Sequence, residues 1–347
     1  MNYYIIFEII ILLFLIIIFR QKNNSKNETD PLRFMSFSNT ERIRGIAILM
    51  VILQHTGGDF GTRIFTPLGG GGVAVFLILS GYGLSESFKK KGLKDFWKKK
   101  IVSILIPWAI LYSVCFFKIT NFNLLHYLGE ITLFKTGCWY LQYLFLWYII
   151  FFITHLNQKI YSYRWYIILV SSLLSFFFGG DLQAEQSLSF PIGLLISEYK
   201  DSSNNKQYIY LSIILAILSL TLKQIPVIRT SFDNELIFHP IQLILKLSLA
   251  IFIILSVQRN KFLMNNKFLS FSGKISFELY LIHLFFTPRI LKNIHEANLY
   301  AYIILFFICS YIASYLFYIS LLSGENSPKQ LLLINTQLVT RLINFFD

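Results

Sequence analysis

The chain has 347 residues, of which 55% are hydrophobic, 17% aromatic and only 14% charged. Because an ordinary soluble domain carries roughly 25% charged residues, this composition argues against a soluble enzyme. The net charge of +13 would favour nucleic-acid binding in a soluble protein, but most basic residues lie in short tracts between apolar segments, as membrane orientation requires. We therefore predict a polytopic membrane protein that contacts lipid and binds no nucleic acid.

Apolar segments recur along the whole chain. A membrane-spanning helix needs about 20 mostly apolar residues, and unpaired amides are too costly in hydrocarbon for most other structures. The sequence predicts an all-α transmembrane helix bundle of about eleven spans, near 3–19, 42–57, 69–87, 101–119, 139–156, 165–179, 187–198, 208–225, 236–257, 270–287 and 299–322. The short span 187–198 also fits a re-entrant or buried half-helix.

The first apolar segment runs directly into Arg20 without a small-residue cleavage site, which predicts an uncleaved anchor rather than a signal peptide. We expect residues 1–41 to form this anchor and a cytoplasmic link, 42–322 the bundle, and 323–347 an amphipathic cytoplasmic tail. The lysine-rich tract 88–100 favours a cytoplasmic position by the positive-inside rule. This predicts a multi-pass protein of the cell (plasma or inner) membrane, with the N-terminus outside and the C-terminus in the cytoplasm.

Ionisable side chains inside spanning helices cost at least about 2.5–3.5 kcal/mol and usually face a cavity or a partner. Arg44 and His55 stand in one predicted span, and their spacing brings them to nearly the same helix face, roughly 16 Å apart along the axis. One helix thus offers a cation near the cytoplasm and an imidazole deeper or on the far side. An inside-facing anchor and an interfacial cap are the alternative interpretation.

A glycine run, Gly69 to Gly72, leads into Ser80 and Tyr82. Glycines allow close approach between helices or to a ligand, and helix packing explains them as well as a binding site does. The run is not a nucleotide-binding loop, because no strand precedes it and no Gly-Lys-Ser/Thr follows it.

Ser276, Tyr280 and His283 recur at helical spacing and form one predicted polar stripe facing the bundle interior. A hydrogen-bonded helix contact is the competing interpretation.

His239, Gln242 and Lys246 form a second stripe of this kind, with Lys246 too deep in its span to reach the surface easily. Its role stays open; an ion pair with Glu278 or with an acidic loop residue would neutralise it.

Three cysteines, Cys115, Cys138 and Cys309, lie in or beside apolar segments without metal-ligand spacing. We predict neither a disulfide framework nor a metal site.

Together these stretches resemble the acyltransferase family 3 membrane proteins, from about Arg42 to Leu322. The resemblance rests on ordered motifs: Arg44 and His55 separated by ten residues, Gly72-Val73 to Ser80-Gly81-Tyr82, the basic tract ending in Pro107, Trp139-Tyr140-Leu141, Phe190-Pro191-Ile192-Gly193, and Ser276 through Tyr280 to His283. It implies ten family-like spans, to which the N-terminal anchor is added.

The resemblance implies transfer of an acetyl or other short acyl group from cytoplasmic acyl-CoA to a hydroxyl of an extracytoplasmic surface glycan. Acyl-CoA would be the donor substrate, with no bound cofactor. A sugar hydroxyl needs a base to remove its proton, and His55 is the best candidate. Covalent transfer of the acyl group through His55 is the alternative, which the sequence leaves open.

Arg44 is expected to act with His55 and to bind the donor with Lys98, Lys99 and Lys100, although membrane anchoring also explains the lysines. The supporting cavity residues implied are Ser80, Tyr82, Trp139, Ser276, Tyr280 and His283.

The main alternative is an exporter of polysaccharide or lipid-linked oligosaccharide, which would not consume acyl-CoA. A polysaccharide polymerase is a second alternative, but that class usually carries a large external loop, and the longest external connection predicted here is 120–138.

Overall fold

The computed structural model describes residues 3–19, 34–59, 61–116, 123–134, 137–200, 206–230, 235–285, 287–291 and 298–324. Within these ranges all regular elements are helices, as predicted. The helices are α1 (Tyr3–Ile18), α2 (Phe37–Asp59), α3 (Thr66–Lys91), α4 (Phe96–Lys100), α5 (Ile106–Phe116), α6 (Leu124–Ile131), α7 (Trp139–Thr154), α8 (Gln158–Ser162), α9 (Arg164–Phe178), α10 (Asp181–Ala184), α11 (Ser189–Glu198), α12 (Gln207–Gln224), α13 (Pro226–Thr230), α14 (Glu235–Arg259), α15 (Lys261–Met264), α16 (Lys267–Lys274), α17 (Ser276–Phe285), α18 (Thr287–Ile290) and α19 (Leu299–Gly324).

Among the described residues, four helices are long and apolar enough to cross a membrane: Thr66–Lys91, Gln207–Gln224, Leu236–Arg259 and Leu299–Leu322. Shorter apolar helices occupy Ile6–Ile18, Trp139–Thr154 and Arg164–Phe178. The multi-pass prediction therefore fits the structure, while the count of about eleven spans remains a prediction. The predicted tail lies outside the described residues from position 325 onward.

Two predicted spans contain an irregularity. The segment predicted as 101–119 begins with a π-helix, Ile101–Leu105, before α5. The segment predicted as 270–287 is interrupted at Ile275, between α16 and α17. Gly273 precedes this interruption, and glycine lowers helix propensity.

The chain divides into two compact units, each assembled from separate parts of the sequence. The larger unit comprises Ile16–Lys94 and Tyr143–Lys274. The smaller unit comprises Met1–Leu15, Asp95–Gln142 and Ile275–Asp347. The predicted sequence domains, with boundaries after 41 and 322, remain predictions.

Close packing of α2, α3, α11 and α14 builds the core of the larger unit. Gly72 on α3 lies against the backbone oxygen of Ala47 on α2. Gly81 faces the backbone oxygen of Phe190 on α11, and Gly193 of α11 in turn faces that of Ile78. A side chain at these glycines would push the helices apart, so helix packing explains Gly72, Gly81 and Gly193.

The smaller unit packs α17 against α5 and α19. Trp108 on α5 is buried and donates its indole hydrogen to the backbone oxygen of Glu130 on α6, at 2.9 Å. The beginning of α1 also belongs to this unit. There the ring centres of Tyr4 and Tyr300 lie 4.6 Å apart. The predicted anchor helix therefore packs against the protein as well as exposing apolar side chains.

Candidate active site

Helix α2 carries both Arg44 and His55, as the sequence predicted. Its first turn is held by Ser36, whose hydroxyl accepts a hydrogen bond from the Asn39 amide at 3.3 Å. Apolar residues then continue the helix, and both ionisable side chains are half-buried. The carboxylate of Asp59, one turn after His55, lies close enough to interact electrostatically with the imidazole.

Arg44 and Ser80 converge on a third side chain, Tyr148 of α7. The Tyr148 hydroxyl hydrogen-bonds with Ser80 and lies within electrostatic range of the Arg44 guanidinium. Tyr148 itself is almost completely buried, at 3% exposure. These three residues form one polar cluster inside the larger unit, which we call the Arg44 cluster.

Tyr82 lies on the same helix as Ser80 but contacts different partners. The Lys200 ammonium lies 5.5 Å from the centre of the Tyr82 ring and hydrogen-bonds with its hydroxyl. Lys200 also pairs with Glu86 at 3.6 Å. The structure therefore places Tyr82 in a charged group near the C-terminal end of α3, apart from the contacts of Ser80.

Lys246 is buried and forms an ion pair with Glu185, which is buried as well. This settles one alternative left open by the sequence, since the partner is an acidic residue of a connecting segment rather than Glu278. Lys223 of α12 lies within electrostatic range of both members of the pair.

The Lys246 pair lies at the same end of the larger unit as His55. The Lys246 side chain crosses Gly70 of α3, whereas the preceding Gly69 lies against Gln54, the residue next to His55. The segment that carries Glu185 is fixed here as well, because Gln186 donates to the Gly70 backbone oxygen at 2.9 Å. We call this region the His55 end of the larger unit.

The remaining predicted cavity residues belong to the smaller unit. Tyr280 and His283 of α17 are buried with ring centres 5.9 Å apart, and Ser276 of the same helix is also buried. This confirms that the predicted stripe faces protein. Trp139 begins α7 and is half-buried, and its neighbour Tyr140 packs on Tyr280 with 5.3 Å between ring centres.

Lys98 and Lys99 are exposed in α4, while Lys100 is half-buried over the Phe96 ring, at 5.9 Å from its centre. Burial, together with the neighbouring charge of Lys99, lowers the pKa of Lys100 to about 8. This lysine therefore loses its positive charge at a lower pH than an ordinary lysine does.

Cys138 also belongs to the smaller unit, and its side chain is buried. Its thiol lies 3.5 Å from the Tyr280 hydroxyl. Burial raises the pKa of the Cys138 thiol to about 11, so the thiol is protonated at neutral pH and is a poor nucleophile. Among the described residues, no three His, Cys, Asp or Glu side chains lie close enough together to hold a metal ion.

Two site residues were missed by the sequence reasoning. Tyr148 stands in an aromatic run without any distinguishing neighbour, so its contact with Ser80 has no sequence signal. Glu185 lies in a short connection, and the available signal was the need of Lys246 for an acidic partner.

A family model described as "Acyltransferase domain", Acyl_transf_3, matches residues 39–319. No curated protein and no solved structure gives a significant match to the chain. The matched range begins just before Arg44 and includes every motif that the sequence analysis compared with acyltransferase family 3. Because this range covers well over half of the chain, the protein is a member of acyltransferase family 3.

Proposed function

We propose that this protein is a membrane O-acyltransferase, which moves an acetyl or other short acyl group from cytoplasmic acyl-CoA to a hydroxyl of an extracytoplasmic glycan. The observation that carries the proposal is the arrangement of α2. This helix has a half-buried arginine joined to a polar cluster near its beginning and a half-buried histidine near its end. The family supplies the acyl-transfer chemistry.

His55 acts as the general base in the proposed reaction. Its imidazole accepts the proton of the acceptor hydroxyl while the hydroxyl oxygen bonds to the carbonyl carbon of the thioester. The carbon–sulfur bond then breaks, and the leaving thiolate takes the proton back from the imidazolium. Proton and acyl group are thus both accounted for, without a covalent acyl-enzyme.

Arg44 binds the donor, assisted by Ser80 and Tyr148. A half-buried guanidinium beside hydrogen-bonding hydroxyls suits the polar part of acyl-CoA better than a reacting carbonyl. The helical spacing keeps Arg44 roughly 16 Å from His55 along the axis. The donor would therefore lie lengthwise, with its thioester at the His55 end.

Three lysines of the smaller unit are proposed to assist donor binding only indirectly. Lys98, Lys99 and Lys100 attract the polyanionic donor to the membrane surface and raise its local concentration. If these lysines serve only to anchor the protein to the membrane, donor affinity is expected to stay the same when Lys100 loses its charge.

Substitutions at His55 and Arg44 test the catalytic proposal. His55→Ala is expected to lower turnover by about 10²–10⁴-fold and to leave acyl-CoA binding largely intact, because the base is needed in the transition state. Arg44→Ala is expected to weaken donor binding, with Arg44→Lys intermediate because it keeps the charge without the planar fork. Donor affinity and CoA release are measured on detergent-purified, monodisperse protein. Surface glycan from the cells that produce this protein serves as the acceptor.

The control is His126→Ala, which removes an exposed histidine of α6. It is expected to retain full turnover. Normal turnover by folded His55→Ala would contradict the assignment of the base. An exporter, the alternative function, would release no CoA from acyl-CoA in any variant.

The proposed donor side requires the N-terminus outside and the C-terminus in the cytoplasm. In a variant whose native cysteines are replaced by serine, Lys94→Cys is expected to resist an impermeant thiol reagent in intact cells, whereas Arg63→Cys is expected to react. The reverse result would overturn the orientation and the side of donor entry.

A further inference from the structure

A cavity of about 260 Å³ opens in the larger unit at the end opposite His55. Its walls come from the C-terminal part of α3, the residue that follows α7, α8, the beginning of α9, and α11. Its walls combine aromatic rings with paired charges: Ser85, Phe88, Lys89, His155, Tyr161, Arg164, Trp165, Ile168, Leu194 and Glu198.

The aromatic part of the wall is held in place by contacts among its own rings. The His155 ring stacks on Phe151, with ring centres 3.9 Å apart and planes at 20°. Phe88 meets His155 edge-on at 4.5 Å, and Tyr161 does so at 5.1 Å. Because these rings fix one another, they present a prearranged surface on which a flat ligand can stack.

Each cation of the wall is already paired with a carboxylate. Lys89 donates to Glu86 at 2.8 Å and to the Ser197 backbone oxygen at 2.6 Å. Arg164 donates to Glu198 at 3.0 Å and stacks on the Tyr161 ring. A phosphate would have to compete with these carboxylates, whereas an uncharged ring would not. The cavity therefore favours a neutral planar group with hydrogen-bonding edges.

The cavity lies along the same helices as the Arg44 cluster. Ser85 follows Ser80 of α3 by five residues, about 7.5 Å along the axis. His155 follows Tyr148 of α7 by seven residues, about 10 Å. Since α2 and α3 pack antiparallel, with Gly69 near Gln54, the order along the larger unit is the His55 end, the Arg44 cluster, and the cavity.

We propose that this cavity binds the adenine ring of the acyl-CoA donor. This assignment rests on the proposed function and adds to it the place of the donor's nucleotide end. Trp165 stacks on the base, and Phe88 and His155, whose ring planes meet at 77°, enclose it. Glu198 and Ser85 provide groups for hydrogen bonds with its edge. The base anchors one end of the donor, and the thioester extends past the Arg44 cluster toward His55.

Two donors of different length test the proposal. Acetyl-CoA carries the adenine ring, and S-acetyl-pantetheine contains the same thioester without the nucleotide. Trp165→Ala is expected to lower kcat/KM for acetyl-CoA by about tenfold, as loss of a base-stacking side chain does elsewhere, and to leave kcat/KM for S-acetyl-pantetheine unchanged. The affinity for adenosine 3′,5′-bisphosphate, measured by calorimetry, is expected to fall by a similar factor.

Ser85→Phe provides a second variant, which fills the cavity instead of removing a wall. It is expected to reduce the preference for acetyl-CoA over S-acetyl-pantetheine in the same way. Tyr166→Ala is the matched control, because Tyr166 is an exposed aromatic residue of α9 next to Trp165 but outside the cavity wall. It is expected to keep the wild-type preference.

Equal losses with both donors in folded Trp165→Ala, or no loss with either, would overturn the cavity assignment while the acyltransferase proposal stands. If wild-type protein releases no thiol from either donor, the proposed function itself fails. Binding of adenosine 3′,5′-bisphosphate that is lost in Trp165→Ala would in that case still support the cavity as an adenine site.

Discussion

The two ends of the larger unit hold their charges in different ways. At the His55 end, Lys246 and Glu185 form a pair in which both side chains are less than 10% exposed. At the opposite end, the pair of Arg164 and Glu198 is 20% and 24% exposed and lines a cavity.

This difference separates a fixed end from an adaptable one. A buried charge that loses its partner has no water to replace it, so the pair at the His55 end holds the Glu185 segment against α14. A partly exposed pair is screened by solvent and contributes little to stability. The two groups of such a pair therefore constrain the surrounding segments less than the buried pair does.

Breaking the buried pair is expected to give the largest effect on stability. Lys246→Met leaves the Glu185 carboxylate buried without its ion-pair partner, and we expect a loss of about 3–5 kcal/mol in the free energy of unfolding. Unfolding of the purified protein in mixed detergent micelles measures this loss. The double variant Lys246→Met with Glu185→Leu is expected to recover most of it, because no isolated charge is left. A single-variant loss below about 1 kcal/mol would make this pair equivalent to an exposed one.

Between the two ends, a pair of glycines on α3 tests whether the helices there are in tight contact. Gly81→Ala would meet the backbone oxygen of Phe190, and we expect it to cost about 1–3 kcal/mol in unfolding free energy, as overpacking does. Gly83→Ala is the matched control, since an added Cβ there meets nothing within 4 Å. It is expected to be neutral or to stabilise α3 by about 0.5–1 kcal/mol. Equal effects of the two variants would contradict the close approach of α3 and α11.

Breaking the partly exposed pair of Arg164 and Glu198 is expected to change stability much less than breaking the buried pair. Arg164→Gln removes the ion pair with Glu198, and we expect the free energy of unfolding to fall by less than about 1 kcal/mol. The same detergent unfolding experiment compares it directly with Lys246→Met. A loss as large as that of Lys246→Met would remove the distinction between the two ends.

In the smaller unit, the charge of Lys100 depends on pH within the range in which the protein can be assayed. Its pKa of about 8 means that its positive charge is present at pH 7 and mostly lost at pH 9. If the lysine tract attracts the donor, acyl-CoA affinity is expected to fall between these values, by less than about fivefold for a single partly exposed charge. Lys100→Arg is expected to remove the decline, because arginine stays protonated. An identical pH profile for wild type and Lys100→Arg would assign the tract to membrane anchoring.

The helices and the register of α2 were predictable from the sequence, because hydrophobic periodicity and residue spacing are local properties. The spacing of Arg44 and His55 placed both on one helix before any contact was known. The contacts of that helix were not predictable, since Tyr148 lies about a hundred positions away in a run of similar aromatic residues. Lys246 indicated the need for an acidic partner without identifying Glu185, because its position depends on the turn before α11. The cavity near Trp165 is built from three separate stretches of the sequence, 85–89, 155–168 and 194–198, and leaves no local pattern.

The shortness of α11 bears on how a group crosses the bilayer. Its ten residues extend about 15 Å, half of a hydrocarbon core about 30 Å thick. The turn that precedes it, with Glu185, Gln186 and Ser187, is polar and buried within the protein. α11 therefore covers only part of the depth of that core, and polar groups of the protein adjoin its N-terminal end. Under the proposed function, two substrates from opposite compartments would meet beside this helix, without a flip of the donor across the membrane.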